Sequence, residues 1–190
     1  MSVTLNRLNQ DMARFLKHVF GEWLPTVPGA GREGAKLIIA GDMPRREDLL
    51  GQRPFCKHGQ EISRMVAEIG LPDEDVYFTY IVKFPVQGKT PNFEETALSL
   101  PWFAKEVEAI KPLAVAALGR AVQLLPHHRV GVRGEHGKCK RIELYDAAFN
   151  LFSLYHPAWV KNTEIKAYHE DLQAIARFIS GASDEPKNKS

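Results

Sequence analysis

Cysteine is scarce in this chain: Cys56 and Cys139 are the only two in 190 residues, which leaves no disulfide framework to hold it together. No apolar run approaches the roughly 20 residues that cross a bilayer. The opening MSVTLNRLNQDMARF also lacks the apolar stretch of a secretory signal. The expectation is therefore a cytoplasmic chain with no membrane partner. An excess of charge of one sign is missing too. A net charge of +2 permits a polyanionic partner without requiring one, so local clusters of cations must decide. Neither an internal repeat nor a low-complexity segment occurs, which argues against a solenoid or a tail-like interaction module.

An apolar fraction of 44% is enough for one full core. The expectation is a single domain over residues 1–180 and a disordered polar tail, GASDEPKNKS, from 181 to 190. Leu5, Leu8, Met12, Phe15, Leu16 and Val19 recur at helical spacing, and PTVPGAGREG then breaks the pattern. AKLIIAGD reads as a buried strand that delivers a carboxylate at its end. QEISRMVAEIG reads as a helix stopped by Gly70, and DVYFTYIVKF as a strand. Residues 93–110 read as helical, with Pro101 marking a kink or a fresh start. LAVAAL follows as a strand and GRAVQLL as the start of a helix. CKRIELYD and FNLFSLY make a further pair of strands, and Tyr168, Leu172, Ile175 and Ile179 mark a last amphipathic helix. Alternation of this kind predicts a three-layer α/β/α sandwich around a mainly parallel sheet, with functional residues beyond the carboxyl ends of the strands. Asp42, Tyr80, Gly119 and His156 all fall at such ends.

Two stretches resemble ligand motifs without meeting their requirements. VQGKT ends like a phosphate-binding P-loop, but Lys83 stands where its first glycine belongs and Pro91 follows the threonine. CKH at 56–58 and HGKC at 136–139 each pair a cysteine with a histidine, although the first spacing is tighter than structural zinc sites use. No metal is expected. HHRVGVRGEHGKCKR, residues 127–141, sets Arg129, Arg133, Lys138, Lys140 and Arg141 against one acid, Glu135. It reads either as a phosphate-contacting loop or as a solvated hairpin. His156, just past an apolar strand, is either a turn residue or a catalyst. Asp42 is more suggestive, because a carboxylate at the mouth of an apolar strand is costly unless solvated, paired or used.

Seven segments decide between these readings: VPGAG (27–31), LIIAGDMP (37–44), ED (47, 48), GQRPF (51–55), VYFTYIVKF (76–84), ALGR (117–120) and YHPAWV (155–160). In order and spacing they resemble the uracil-DNA glycosylase superfamily, and most nearly its family 4, the iron-sulfur type, over residues 25–175. The resemblance implies base flipping and hydrolysis of an N-glycosidic bond in DNA. It places Asp42 at the residue that orients water or balances sugar charge, and His156 at the donor to the departing base. Met43, Pro44, Phe55 and Tyr80 fall in the base pocket, with Phe55 stacking on the base. Val160, with Trp159 beside it, falls at the apolar wedge. Arg120, Arg133, Lys138 and Lys161 become candidates for holding phosphates.

The chain departs from family 4 in ways that matter. Phe84 and Ser99 stand at two cluster-cysteine positions and the N-terminal pair is absent, so no cofactor is expected, with Phe84 and Trp102 packing in its place. Tyr80 replaces the asparagine that reads uracil, and Arg45 and Lys57 replace glycines. These changes imply a pyrimidine other than plain uracil, such as a 5-hydroxymethylated or glucosylated base of phage DNA, whose polar substituent the added cationic and phenolic donors suit. The matched motifs hold no amine nucleophile, so the expected enzyme is monofunctional, and a monomer. A cluster-free uracil glycosylase and a non-catalytic DNA-binding relative are the alternatives.

Overall fold

A computed structural model describes residues 4–21, 24–88, 90–126 and 132–184, with side chains to residue 181. The first part of the basic segment, including Arg129, lies outside the described residues, as do Lys89 and the end of the tail from 185.

Four strands pair in parallel: β1 (Leu37–Gly41), β2 (Val76–Tyr80), β3 (Ala114–Leu118) and β5 (Ala147–Leu154). A fifth, β4 (Cys139–Leu144), runs antiparallel on β5, giving the order β2-β1-β3-β5-β4. The expected α/β sandwich is thus present. Every residue of β1 and β3 is buried, as strands covered on both faces require.

Alternation along the strands assigns the two faces. Ile38, Ala40, Val115 and Ala117 join the core beneath α1 (Leu5–Phe20) and α4 (Phe93–Ile110), with Leu8, Phe103 and Val107. Leu37, Ile39, Ala116 and Leu118 face α3 (Gly59–Ile69) and α6 (Ile165–Asp184), meeting Ile62, Val66, Leu172 and Ile175. The VPGAG segment lies along the free edge of β2, where Ala30 and Phe78 exchange two backbone hydrogen bonds of 2.8 Å.

Three local expectations need correction. Residues 93–110 form one helix that continues through Pro101, so the proline does not mark a fresh start; a capping box between Asn92 and Glu95 begins it. GRAVQLL does not begin an α-helix; Gly119–Leu124 is 3-10, because Gly119 leaves β3 at φ 57° and Pro126 follows within a few residues. The polar residues 181–184 continue α6 rather than starting the tail. Two short helices, α2 (Arg46–Gly51) and α5 (Val132–Glu135), also escape the periodicity, being only 6 and 4 residues long. Among the described residues no helix is long and apolar enough to cross a membrane.

One polar cluster ties β2 to α4. Lys83, wholly buried, donates to Thr79 Oγ1 at 2.7 Å and pairs closely with Glu106. Glu106 also accepts from Thr79 at 2.9 Å and from Tyr77 at 3.2 Å. Burial pushes the Lys83 ammonium below its ordinary range, and Glu106 opposes that shift. Removing the carboxylate leaves a buried cation uncompensated. Glu106→Leu should therefore cost about 3 to 5 kcal/mol in chemical denaturation, and adding Lys83→Met should recover most of it.

Candidate active site

The carboxyl ends of β1, β2, β3 and β5 open on one cavity of about 670 Å³. Asp42, Phe55, Tyr80, Arg120 and His156 all line it, together with Trp159. Two glycines make this convergence possible. A Cβ on Gly41 would stand 2.7 Å from the Tyr80 ring and 3.0 Å from Phe55, and one on Gly119 would stand 3.4 Å from the His156 Cβ.

Asp48 organises the wall nearest β2. Its side chain is 1% exposed and gathers three donors. Oδ2 accepts from the Arg45 N–H at 2.6 Å and the Tyr80 hydroxyl at 2.9 Å, while Oδ1 accepts from the Cys56 N–H at 2.7 Å. The Tyr80 hydroxyl in turn accepts from the Phe55 N–H at 3.0 Å. Phe55 is thereby held at φ 60°, a left-handed conformation uncommon for an aromatic residue, with its ring 4.9 Å from that of Tyr80. Burial, and then the Asp48 carboxylate, push the Tyr80 phenol far above its usual range, so it remains a donor.

This geometry changes the expected part of Tyr80. Its ring lines the cavity, but its hydroxyl is engaged on both sides by the protein and does not supply the extra donor expected at the base. Asp48 had appeared only as half of the ED motif. A further signal was its spacing, three residues beyond Arg45, where a carboxylate can turn back on the backbone that starts α2.

His156 follows β5 and caps the short 3-10 turn Pro157–Trp159, its Nδ1 accepting from the Ala158 N–H at 3.3 Å. It is therefore a turn residue whose other nitrogen stays available: with Nδ1 an acceptor, the proton belongs on Nε2. Burial, and then the neighbouring His58, push its pKa down to about 4, so the ring is neutral near pH 7. His58, weighed from the sequence only as the histidine of CKH and not as part of this site, sets its ring 5.1 Å from that of His156 and 6.0 Å from Trp159. A histidine after a stacking aromatic carries no pattern of its own, and only the fold brings these rings together.

Asp42 lies one residue beyond β1, where Arg45 and Arg120 each bring a guanidinium nitrogen to 3.3 Å from its Oδ2. The remaining expected residues divide. Arg133 lines the cavity and pairs with Glu164 at 3.5 Å. Trp159 is 71% exposed at the rim, whereas Val160 packs against the core beneath α3 and α6. The exposed apolar side chain at the expected wedge is thus the tryptophan. Met43 borders the cavity, yet its side chain is buried with Met12, Leu16, Val82 and Phe84. Pro44 and Lys138 are outside the lining, and Lys138 donates to the Gly134 carbonyl at 2.9 Å. Lys161 is exposed and also outside it. The hairpin is fastened to α6 by His136 Nδ1, 2.8 Å from Asp171 Oδ2.

A family model described as the uracil DNA glycosylase superfamily matches residues 28–178. The chain is 33% identical over 141 residues to a type-4 uracil-DNA glycosylase of Archaeoglobus fulgidus, covering 70% of this chain and 71% of that protein. It is 31% identical over 167 residues to a type-4 uracil-DNA glycosylase of Pyrobaculum aerophilum, covering 83% and 84%. It is also similar to part of a DNA polymerase of Bacillus phage SP01, 28% identical over 84% of this chain and 17% of the polymerase. The chain belongs to the uracil-DNA glycosylase superfamily.

An iron-sulfur cluster, which the family-4 resemblance would imply, does not fit these residues. Phe84 is buried among Met12, Leu16, Met43 and Val82, with Trp102 packed against them, and none of these side chains is a thiolate. Cys56 follows Phe55 in sequence and is outside the cavity lining, and Cys139 is exposed on β4; neither belongs to that apolar group.

Two measurements check this geometry. Tyr80→Phe keeps the ring but strands the Phe55 N–H and one Asp48 lone pair, so it should cost about 1 to 3 kcal/mol of stability by chemical denaturation. The second concerns His156, which titrates at 6.5 unfolded and about 4 folded. The unfolded chain takes up a proton that the native chain refuses, so this contribution is complete above pH 6.5 and is lost as pH falls toward 4. His156→Gln should make the stability profile shallower over that window and leave its alkaline side unchanged.

Proposed function

We propose that this protein is a DNA glycosylase that hydrolyses the N-glycosidic bond of a flipped, non-standard pyrimidine and leaves an abasic site. The observation that carries the reading is the neutral His156, its Nδ1 fixed by the backbone, lining the same cavity as Asp42 and Phe55. Flipping costs a few kcal/mol of stacking and pairing, which a ring seated on Phe55 recovers in part. As the bond to the sugar stretches, electrons move onto the base, and a neutral Nε2–H aimed at the base oxygen stabilises charge that exists only in the transition state. Asp42 positions the water that attacks the sugar carbon and takes up its proton. Trp159 enters the vacated stack, and Arg120, Arg133 and Lys161 hold the backbone.

The site favours a base larger than uracil. With Tyr80 in place of an amide and its hydroxyl proton given to Asp48, the side chain at the end of β2 keeps no donor to read a uracil edge. The cavity is of the size that holds a sizeable ligand, and Lys57 adds a cation at its wall. A pyrimidine with a polar 5-substituent, hydroxymethyl or a sugar, meets those features, and removal of such bases from phage DNA suits a defence role. The names of the archaeal relatives favour the second reading, that uracil itself is the substrate in a repair enzyme lacking the cluster.

Base release measured by mass spectrometry from duplexes carrying uracil, 5-hydroxymethylpyrimidines or glucosylated hydroxymethylcytosine separates the two. A modified base should be released in preference to uracil. Asp42→Asn and His156→Ala should each slow release by about 100- to 1,000-fold, with DNA binding retained. Release should be water-borne, so borohydride should trap no protein–DNA adduct despite Lys57 at the cavity; a trapped adduct would make Lys57 a nucleophile instead.

A further inference from the structure

Asp42 is held in a way that conflicts with the chemistry assigned to it. Two guanidiniums converge on a single oxygen, Oδ2, each at 3.3 Å, which is longer than the about 2.7 to 2.9 Å of a strong charge-assisted hydrogen bond. Two guanidiniums facing one carboxylate oxygen neutralise the charge that a developing sugar cation beside it would call on. Left in this arrangement, Asp42 would do little for that cation.

The two arginines are built to leave. Their side chains are 39% and 47% exposed, against 16% for Asp42. The Arg45 backbone is anchored by its N–H to Asp48 at 2.6 Å, so the side chain can swing from a fixed base. Arg120 stands on the 3-10 turn directly after Gly119. A single carboxylate oxygen satisfies neither fork, whereas a phosphodiester offers two unesterified oxygens and suits a guanidinium well.

We propose that Arg45 and Arg120 are phosphate-receiving residues that restrain Asp42 in the free protein and pass to the DNA backbone beside the flipped nucleotide, releasing the carboxylate to act. The catalytic importance of this transfer rests on the glycosylase reading; the transfer itself does not. Engagement of DNA would then switch Asp42 from a neutralised to an unencumbered carboxylate, linking phosphate contact to competence for hydrolysis. Arg45 and Arg120 are positioning residues in this scheme, since they act on the reaction through Asp42.

The test is binding of a duplex carrying a tetrahydrofuran abasic-site analogue, followed over a range of salt. Each phosphate contact contributes about 0.9 to the slope of log affinity against log salt, so Arg45→Gln and Arg120→Gln should each make the slope shallower by about that amount, and the pair by about twice as much. Arg→Lys at either site should restore the slope. Asp42→Asn, which removes the competing carboxylate, should tighten binding when both arginines are present and have little effect when both are glutamine. Unchanged slopes overturn the proposal. So does tightening by Asp42→Asn that persists in the double glutamine variant, because simple repulsion between Asp42 and DNA would then explain it. These readouts need no base release, so an inactive wild-type protein with the expected slopes would contradict the glycosylase reading and leave the arginine transfer standing.

Discussion

The buried carboxylate of Asp48 is the constraint on which the site depends. It joins the start of α2, the segment after Phe55 and the end of β2 through the Arg45 N–H, the Cys56 N–H and the Tyr80 hydroxyl. Through Tyr80 it also holds the Phe55 N–H, and through Arg45 it fixes the backbone from which a guanidinium reaches Asp42. A buried acceptor surrounded by donors is stable only while all of them are in place, and loss of one leaves an expensive orphan. Two sides of the cavity, the aromatic platform and the arm over the carboxylate, are thereby set by one side chain that need not touch a substrate.

His156 shows the same economy of means beyond the end of β5. The nitrogen that caps the turn after β5 settles which nitrogen carries the proton, and burial beside His58 keeps the ring neutral. A neutral donor is better suited than an imidazolium to a site that already holds Arg45 and Arg120. The apolar group around Phe84 does comparable work farther off, giving the α1 side of the molecule a packed interior from Met12, Leu16, Met43 and Val82.

The sheet was legible because β1 and β3 are short apolar runs that lead into candidate site residues, and α1, α3 and α6 carry clean helical stripes. Where the chain turns by local geometry rather than periodicity, the reading failed: the 3-10 segment after Gly119, and the 4-residue α5. Candidate site residues could be named from motif positions, since strand ends converge in this architecture. Their roles were less accessible. Tyr80 looked like a free donor because its hydroxyl's partners, Asp48 and Phe55, lie 32 and 25 residues away in the chain. Val160 and Trp159 could not be ranked until the turn at Pro157 showed which one faces outward. His58 joined the site only when the loop after Phe55 was folded against the 156–159 turn.

The most direct test of Asp48 as organiser is the single-turnover rate of base release by Asp48→Asn, at saturating DNA and normalised to folded protein. An amide there presents a donor to groups that are themselves donors, so Phe55 and the Arg45 arm should lose their fixed geometry. The account predicts a fall in rate of at least about tenfold with DNA affinity largely preserved, since misplacement of about an ångström near the chemistry is enough for losses of that order. A variant that is merely less stable, but releases base at the wild-type rate once folded, would contradict it.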